Sequence, residues 1–349
     1  MGTNQEQVTF GLAYDFRNPE PWRKPTEALY QEVLDQIVWA EGLGFRSVWL
    51  TEHHFCDDGY TPSPLTIAAA IGARTQHMHI GTNLLVLPLH DPIRIAEDAA
   101  TVSILTGGRF RLGVGQGYHE SEFEGFGRKI RNRPSLLEEG VEVIRRAWSG
   151  DMVNFSGKRV RVEDVRITPV PESPLPLLVG ALADPAIERA ARIGDGYLDT
   201  LNAGGAKYVE ALSKVGKDPA EGRIYSLQWP IIDEDPERTW AEVGQHSVYQ
   251  WNEYIGWGVF GPPDQVPRYE SPKQLVEAGM IQLWDASTAV AQLSGILSDR
   301  PQTKDLHFFA QLPGEPVESG SRRVEYLATK VMPEVLRTAS QTEREEGTT

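Results

Sequence analysis

Two hydrophobic rhythms alternate along this chain. Residues 8–14 alternate as a strand, after which Leu29, Val33, Ile37 and Ala40 recur at helical spacing and Gly42 and Gly44 mark the stop. Residues 47–51 read as a second strand, and Ser63-Pro64 opens the next helix with a capping residue and proline at the first helical position. A third strand over 79–87 precedes a helix that begins at Asp91-Pro92 and ends at Gly107-Gly108. The fourth, 109–114, leads to a helical region clearest over 134–148. Strands at 177–180, 197–201, 225–232 and 306–310 complete the series, with a helix from Asp184-Pro185 to Gly194 and a closing helix through Val324, Leu327 and Val331. Eight strands followed by helices, with no linker, predict an α/β fold: a single (β/α)8 TIM barrel over residues 1–339.

Four segments fall outside the rhythm. Residues 152–166 alternate about Ser156-Gly157 and predict an inserted hairpin. Residues 52–61 lack periodicity. So do 249–269, which carry Trp251, Tyr254, Trp257 and Phe260 among glycines and prolines and read as a lid over the barrel mouth or a packed surface excursion. Residues 340–349 are expected to be a disordered tail.

Composition narrows the class. With 40% hydrophobic and 24% charged residues the 349-residue chain can bury a large core. A net charge of −15 argues against nucleic acid or an anionic membrane as the main partner. The one cysteine, Cys56, excludes a disulfide framework and a cysteine-based metal cluster, which points to a reducing, cytoplasmic setting. The N-terminal residues lack the basic and apolar runs of a signal peptide, and no stretch approaches a membrane span.

Candidate chemistry collects where strands end, the catalytic face of such a barrel. His53 and His54 follow the second strand; neighbours on an extended chain point oppositely, so one at most faces the cavity, and the pair alone does not make a metal site. The inward one is a proton carrier or a structural histidine. Gly113-Val-Gly115-Gln-Gly117 follows the fourth strand with its third glycine misplaced for a dinucleotide fingerprint; it reads as a cofactor wall or as close backbone approach. Arg128, Lys129, Arg131 and Arg133 form the dense basic cluster, a phosphate grip or a solvated face.

Several runs in order resemble the bacterial luciferase-like monooxygenases: Trp49-Leu-Thr-Glu-His-His-Phe55, Ile80-Gly-Thr-Asn-Leu-Leu-Val-Leu-Pro88, Gly108-Arg-Phe-Arg-Leu-Gly-Val-Gly115, residues 123–127, Ala190-Ala-Arg-Ile-Gly-Asp-Gly196 and Val331-Met-Pro333. The resemblance implies a barrel, usually dimeric, with flavin mononucleotide at the C-terminal mouth. It implies His53 beside the flavin as the catalytic residue, and a non-proline cis peptide at Asn83-Leu84, next to Thr82, under the ring. It implies further cofactor contacts from Gly115, Gln116, Gly117 and Tyr118 and from Gly180, Ala181 and Leu182. Gln116 stands where luciferase has arginine, and Ala181 and Leu182 where many relatives have serine, so polar phosphate contacts are missing. The expectation is a two-component monooxygenase that takes reduced FMN from a separate flavin reductase and uses dioxygen on a small organic substrate bound by Tyr14, Phe16, Trp251 and Trp257. The alternatives are a deazaflavin-dependent hydride-transfer enzyme and a non-catalytic flavin-binding protein.

Overall fold

Inward and outward positions alternate along every barrel strand, and this decides what fills the molecule. The computed structural model describes residues 7–346. The barrel strands are β1 (Thr9–Tyr14), β2 (Ser47–Leu50), β3 (His79–Thr82), β4 (Phe110–Gly115), β5 (Leu177–Gly180), β6 (Gly196–Asp199), β7 (Ile224–Gln228) and β8 (Thr303–Phe309). Each pairs in parallel with the next, and β8 pairs with β1, closing a (β/α)8 barrel. Outward residues such as Phe10, Leu12, Val48, Leu50, Leu112 and Val179 join the main core with the helical shell.

Inward positions hold a different set. Ala13, Trp49, Leu178, Leu198, Tyr225 and Leu227 pack together inside the barrel. Trp49 fills the space beside β3, where a Cβ on Gly81 would sit 2.4 Å from its ring. Higher up, Gly113 faces the Thr82 carbonyl at 1.9 Å from an added Cβ, while Gly115 and Gly180 both leave room for Leu84. The glycines of β4 therefore serve close approach to β3, the blander of their two sequence readings.

The third strand is shorter than its apolar run suggests. It stops at Thr82, the Asn83–Leu84 peptide is cis, Leu85–Val86 pair again with Val114 and Gly115, and Leu87–Leu89 form a 3-10 turn. The inserted hairpin is present as Val153–Ser156 against Arg161–Val165, a separate antiparallel pair. Two expectations are corrected. Residues 249–256 are not an irregular loop but the last turns of a helix, Pro236–Gly256; its buried face carries Thr239, Gly244, His246, Ser247 and Gln250 beside the apolar residues, so hydropathy does not mark the period. The helix Met332–Glu346 runs through 340–346 of the supposed tail, because Gln341, Glu343, Arg344, Glu345 and Glu346 are good helix formers; 347–349 lie outside the described residues. No helix among the described residues is long and apolar enough to cross a membrane.

The glycine packing is directly testable. Gly113→Ala should lower unfolding stability by about 3 kcal/mol in urea titrations, because its methyl meets backbone rather than a mobile side chain. Gly42→Ala, with nothing within 4 Å of the new methyl, should be neutral or slightly stabilising.

Candidate active site

The strand ends ring a cavity of about 300 Å³, the lower end of the range for small-molecule sites. Its floor and one side come from Asn83, Leu84, Gln116, Gly117, Gly180 and Leu182; the facing side comes from Leu227, Trp229, Trp251, Tyr254, Phe260 and Phe309. His53 enters between them, just past β2.

The chain after β2 is held extended by backbone bonds: His53 N–H donates to the Thr61 carbonyl and Thr61 N–H to that of Asp15. Alternation then sends consecutive side chains apart. His53 faces the cavity, while His54 packs on Phe126, with ring centroids 4.8 Å apart, outside the lining. Each has a carboxylate. Glu122 Oε1 accepts from His53 Nδ1 at 2.8 Å and from the His54 backbone N–H at 2.8 Å. Glu52 accepts from the Val86 N–H and from His90 Nε2 at 2.9 Å, with His54 Nε2 3.4 Å away.

Burial alone would raise both carboxyls. The neighbouring His119, with Nδ1 3.6 Å away, and the hydrogen bond from His53 instead hold Glu122 at about 2, and the charge and hydrogen bond of His90, with help from His54, hold Glu52 at about 2. An ionised Glu122 can only accept, so His53 donates through Nδ1, and Nε2 is left toward the Tyr118 hydroxyl at 3.1 Å. Trp257 at 4.6 Å and Tyr60 at 4.7 Å between ring centroids pack on the imidazole. The result is an oriented imidazole that can take or give a proton at Nε2.

A second polar chain supports the floor. Buried Asp305 accepts from Thr9 (2.6 Å), Ser47 (2.5 Å), Trp49 Nε1 (2.9 Å) and His307 Nδ1 (2.8 Å). His307 Nε2 accepts from the Asn83 amide N–H at 2.9 Å, which leaves Asn83 Oδ1 buried and unpartnered.

Residues 9–288 match the luciferase-like monooxygenase family. The chain belongs to that family. An F420-dependent glucose-6-phosphate dehydrogenase of Amycolatopsis mediterranei is 33% identical over 216 residues, covering 60% of this chain and 63% of that protein, so less than two thirds of the relative's length is matched. The crystal structure of monooxygenase RslO1 from Streptomyces bottropensis superposes with a TM-score of 0.75 at 21% identity, over 93% of this chain and 99% of that one. An F420-dependent secondary alcohol dehydrogenase, solved with an F420-acetone adduct, gives 0.70 at 19% over 94% and 99%. One barrel thus serves both chemistries, and the fold alone does not choose between them.

Of the residues singled out in the sequence, His53, Asn83, Leu84, Gln116, Gly117, Tyr118, Gly180, Ala181, Leu182 and Trp251 line the cavity. Five do not. Thr82 spends its hydroxyl on the Gly113 carbonyl at 2.6 Å, and Gly115 lies behind Leu84. Tyr14 sits at an outward position of β1 and Phe16 packs on Tyr30 at 4.7 Å, so both belong to the shell rather than to a substrate site. Trp257 backs His53 without lining the cavity. Of the basic cluster Arg133 alone reaches the lining. Tyr254 and Phe260, named among the aromatics of residues 249–269, also line the cavity, whereas Glu122, Tyr60, Trp229 and Phe309 were missed; Glu122 reads in sequence as one more acid of a polar helix, and Phe309 as one more strand residue. Two trios, His53–His119–Glu122 and Glu52–His54–His90, bring metal-type donor atoms within 4.8 Å, and in each one histidine already bonds the carboxylate directly, His53 to Glu122 and His90 to Glu52. Burial pushes the Cys56 thiol up to about 12, which disfavours its thiolate.

The ionised Glu122 has a pH signature. Its folded value lies below the ordinary one, so its stabilisation is present above about pH 4.5 and is lost as pH falls toward 2, on the order of 3 kcal/mol in all. Glu122→Gln should therefore be clearly less stable than the parent in urea at pH 7, and the gap should narrow by pH 3. A gap independent of pH would mean that Glu122 is not held ionised.

Proposed function

We propose that this chain is a hydride-transfer oxidoreductase that holds a deazaflavin in the barrel mouth and works at a hydroxyl or carbonyl carbon, with His53 as proton acceptor or donor. One observation carries the reading: His53 is fixed by ionised Glu122 so that Nε2 faces a cavity whose floor is Asn83 and Leu84. The cofactor class is supported by the named activity of the Amycolatopsis relative at 33% identity. The reading as an FMN monooxygenase uses the same cavity and the same histidine, but requires dioxygen and a reductase that the relative's activity does not.

The lining fits a flat polar-edged ring with an anionic tail. Asn83 Oδ1 and Gln116 Oε1 are buried without partners, ready to accept from ring N–H groups. Arg133 is the one Lys or Arg among the lining residues and has no ion-pair partner among the described residues, so it would hold the phosphate of the tail. When bound, a deazaflavin supplies the two-electron hydride acceptor or donor. The protein supplies the rest. His53 Nε2 takes the hydroxyl proton in oxidation or returns it in reduction, and Glu122 stabilises the imidazolium that forms. Trp257, Tyr60 and Tyr254 exclude water around it.

His53→Ala should bind deazaflavin in absorbance titrations nearly as the parent does. It should lose about 10²–10⁴-fold in hydride transfer across a panel of alcohols. His54→Ala should lose far less, since its ring faces Phe126. Binding of reduced FMN in preference to deazaflavin, with oxygen consumed, would return the chain to the monooxygenase reading.

A further inference from the structure

We infer that the substrate is an uncharged alcohol or ketone with a cyclic hydrocarbon body, and that phosphorylated sugars are rejected; this rests on the hydride-transfer reading above. The strand order divides the mouth. The ends of β3, β4 and β5 carry the polar floor and lie on the same side as Arg133, whereas Trp229 and Phe309, from the ends of β7 and β8, stand across from them.

That far wall is a continuous run of aromatic faces. Trp229 contacts Trp251 at 4.7 Å and Phe309 at 5.0 Å between ring centroids, Trp251 stacks on Phe260 at 5.8 Å, and Tyr254 continues the wall to His53 at 6.4 Å. Its polar atoms are mostly used up. Trp229 Nε1 donates to the Thr200 carbonyl at 2.7 Å, and the Tyr254 and Tyr60 hydroxyls bond each other at 3.1 Å. Of those two hydroxyls one donates and the other keeps its own O–H, and Trp251 Nε1 is buried without a partner, so this wall retains one O–H and one N–H for a neutral oxygen.

No cation stands on this side among the residues lining the cavity. Arg17 lies behind the wall, fully buried and outside the lining, with Nε on Asp58 at 2.6 Å, Nη1 and Nη2 without a hydrogen-bond partner, and the rings of Tyr60, Tyr249, Tyr254 and Trp257 around it at 5.1–5.8 Å. A substrate phosphate seated against these rings would lose its hydration with no counter-charge, which is among the largest penalties a site can impose. Ring faces reward the opposite: an apolar body that covers them. Oxidation of such an alcohol would break its O–H bond with the proton to His53 Nε2 and its carbinol C–H bond as the C=O bond forms, a bound deazaflavin being the hydride acceptor it would require.

Trp229 and Trp251 make the wall its own reporter. Tryptophan emission of the protein without added cofactor should change saturably on titration with cyclohexanone, and glucose 6-phosphate should neither change it nor compete. Phe260 is 38% exposed, so substitutions there spare the fold. Phe260→Glu should weaken cyclohexanone by about tenfold or more, while Phe260→Leu stays near the parent. Competition by glucose 6-phosphate, or cyclohexanone affinity indifferent to Phe260→Glu, would overturn the assignment. Because the titration needs no cofactor, a failure to bind deazaflavin would sink the hydride-transfer reading separately.

Discussion

The floor of this barrel mouth stands on one buried carboxylate. Asp305 gathers donors from β1, β2 and its own strand, Thr9, Ser47, Trp49 and His307, so three strands are tied at one buried point. A buried charge is tolerable only when its lone pairs are met, and here four donors meet them; burial would raise the carboxyl, but the bonds from His307, Ser47 and Thr9 hold it low. Because the carboxylate only accepts, it fixes which nitrogen of His307 carries the proton. His307 in turn accepts from Asn83, a lining residue whose remaining oxygen is buried without a partner. The polarity of the site floor is thus settled two residues away from any ligand.

The rim repeats the logic with different residues. Glu122 and Glu52 each take one of two adjacent histidines, and each also accepts a backbone N–H, from His54 and Val86. Side-chain and main-chain order are therefore coupled: displacing Glu122 frees both the His53 ring and the turn that carries it. Arg17 closes the same corner, joining the loop after β1 to Asp58 in the loop after β2, and Tyr249 from the long helix also bonds Asp58 at 3.0 Å. A rigid proton carrier on a loop needs this many anchors, because the loop has no strand neighbours of its own.

The barrel was legible because period-2 and period-3.6 patterns are local, and the hairpin because its alternation is strict. Alternation also said correctly that His53 and His54 part company. What it did not say was which parity faces inward. Tyr14 and Phe16 were expected at the substrate and lie in the shell, since on β1 the inward positions are Gly11 and Ala13, too small to announce themselves. The long helix Pro236–Gly256 was hidden by a different fault: its buried face holds Thr239, Gly244, His246, Ser247 and Gln250 among the aromatics, so burial and hydropathy part company. Glu122 was invisible for a third reason, as its role depends on a contact 69 residues away in sequence.

Unpaired atoms say where the structure is unfinished. A barrel interior this polar should cost stability, and it is sustained because Ser47, Trp49, Asp305 and His307 satisfy one another. Asn83 Oδ1, Gln116 Oε1 and Trp251 Nε1 are exceptions among the lining residues: buried polar atoms with no partner in the protein. Each would cost about 1–3 kcal/mol if left dry and unmet, so each calls for water or for a ligand group. Two acceptors stand on the floor side and one donor on the aromatic side. The first pair suits N–H groups of a ring, the other a single neutral oxygen. A phosphorylated sugar offers the reverse, many hydroxyls and a double charge, to a wall with one N–H, one O–H and no cation among its lining residues. The division of polar atoms between the two sides thus separates a place for a cofactor edge from a place for an apolar substrate.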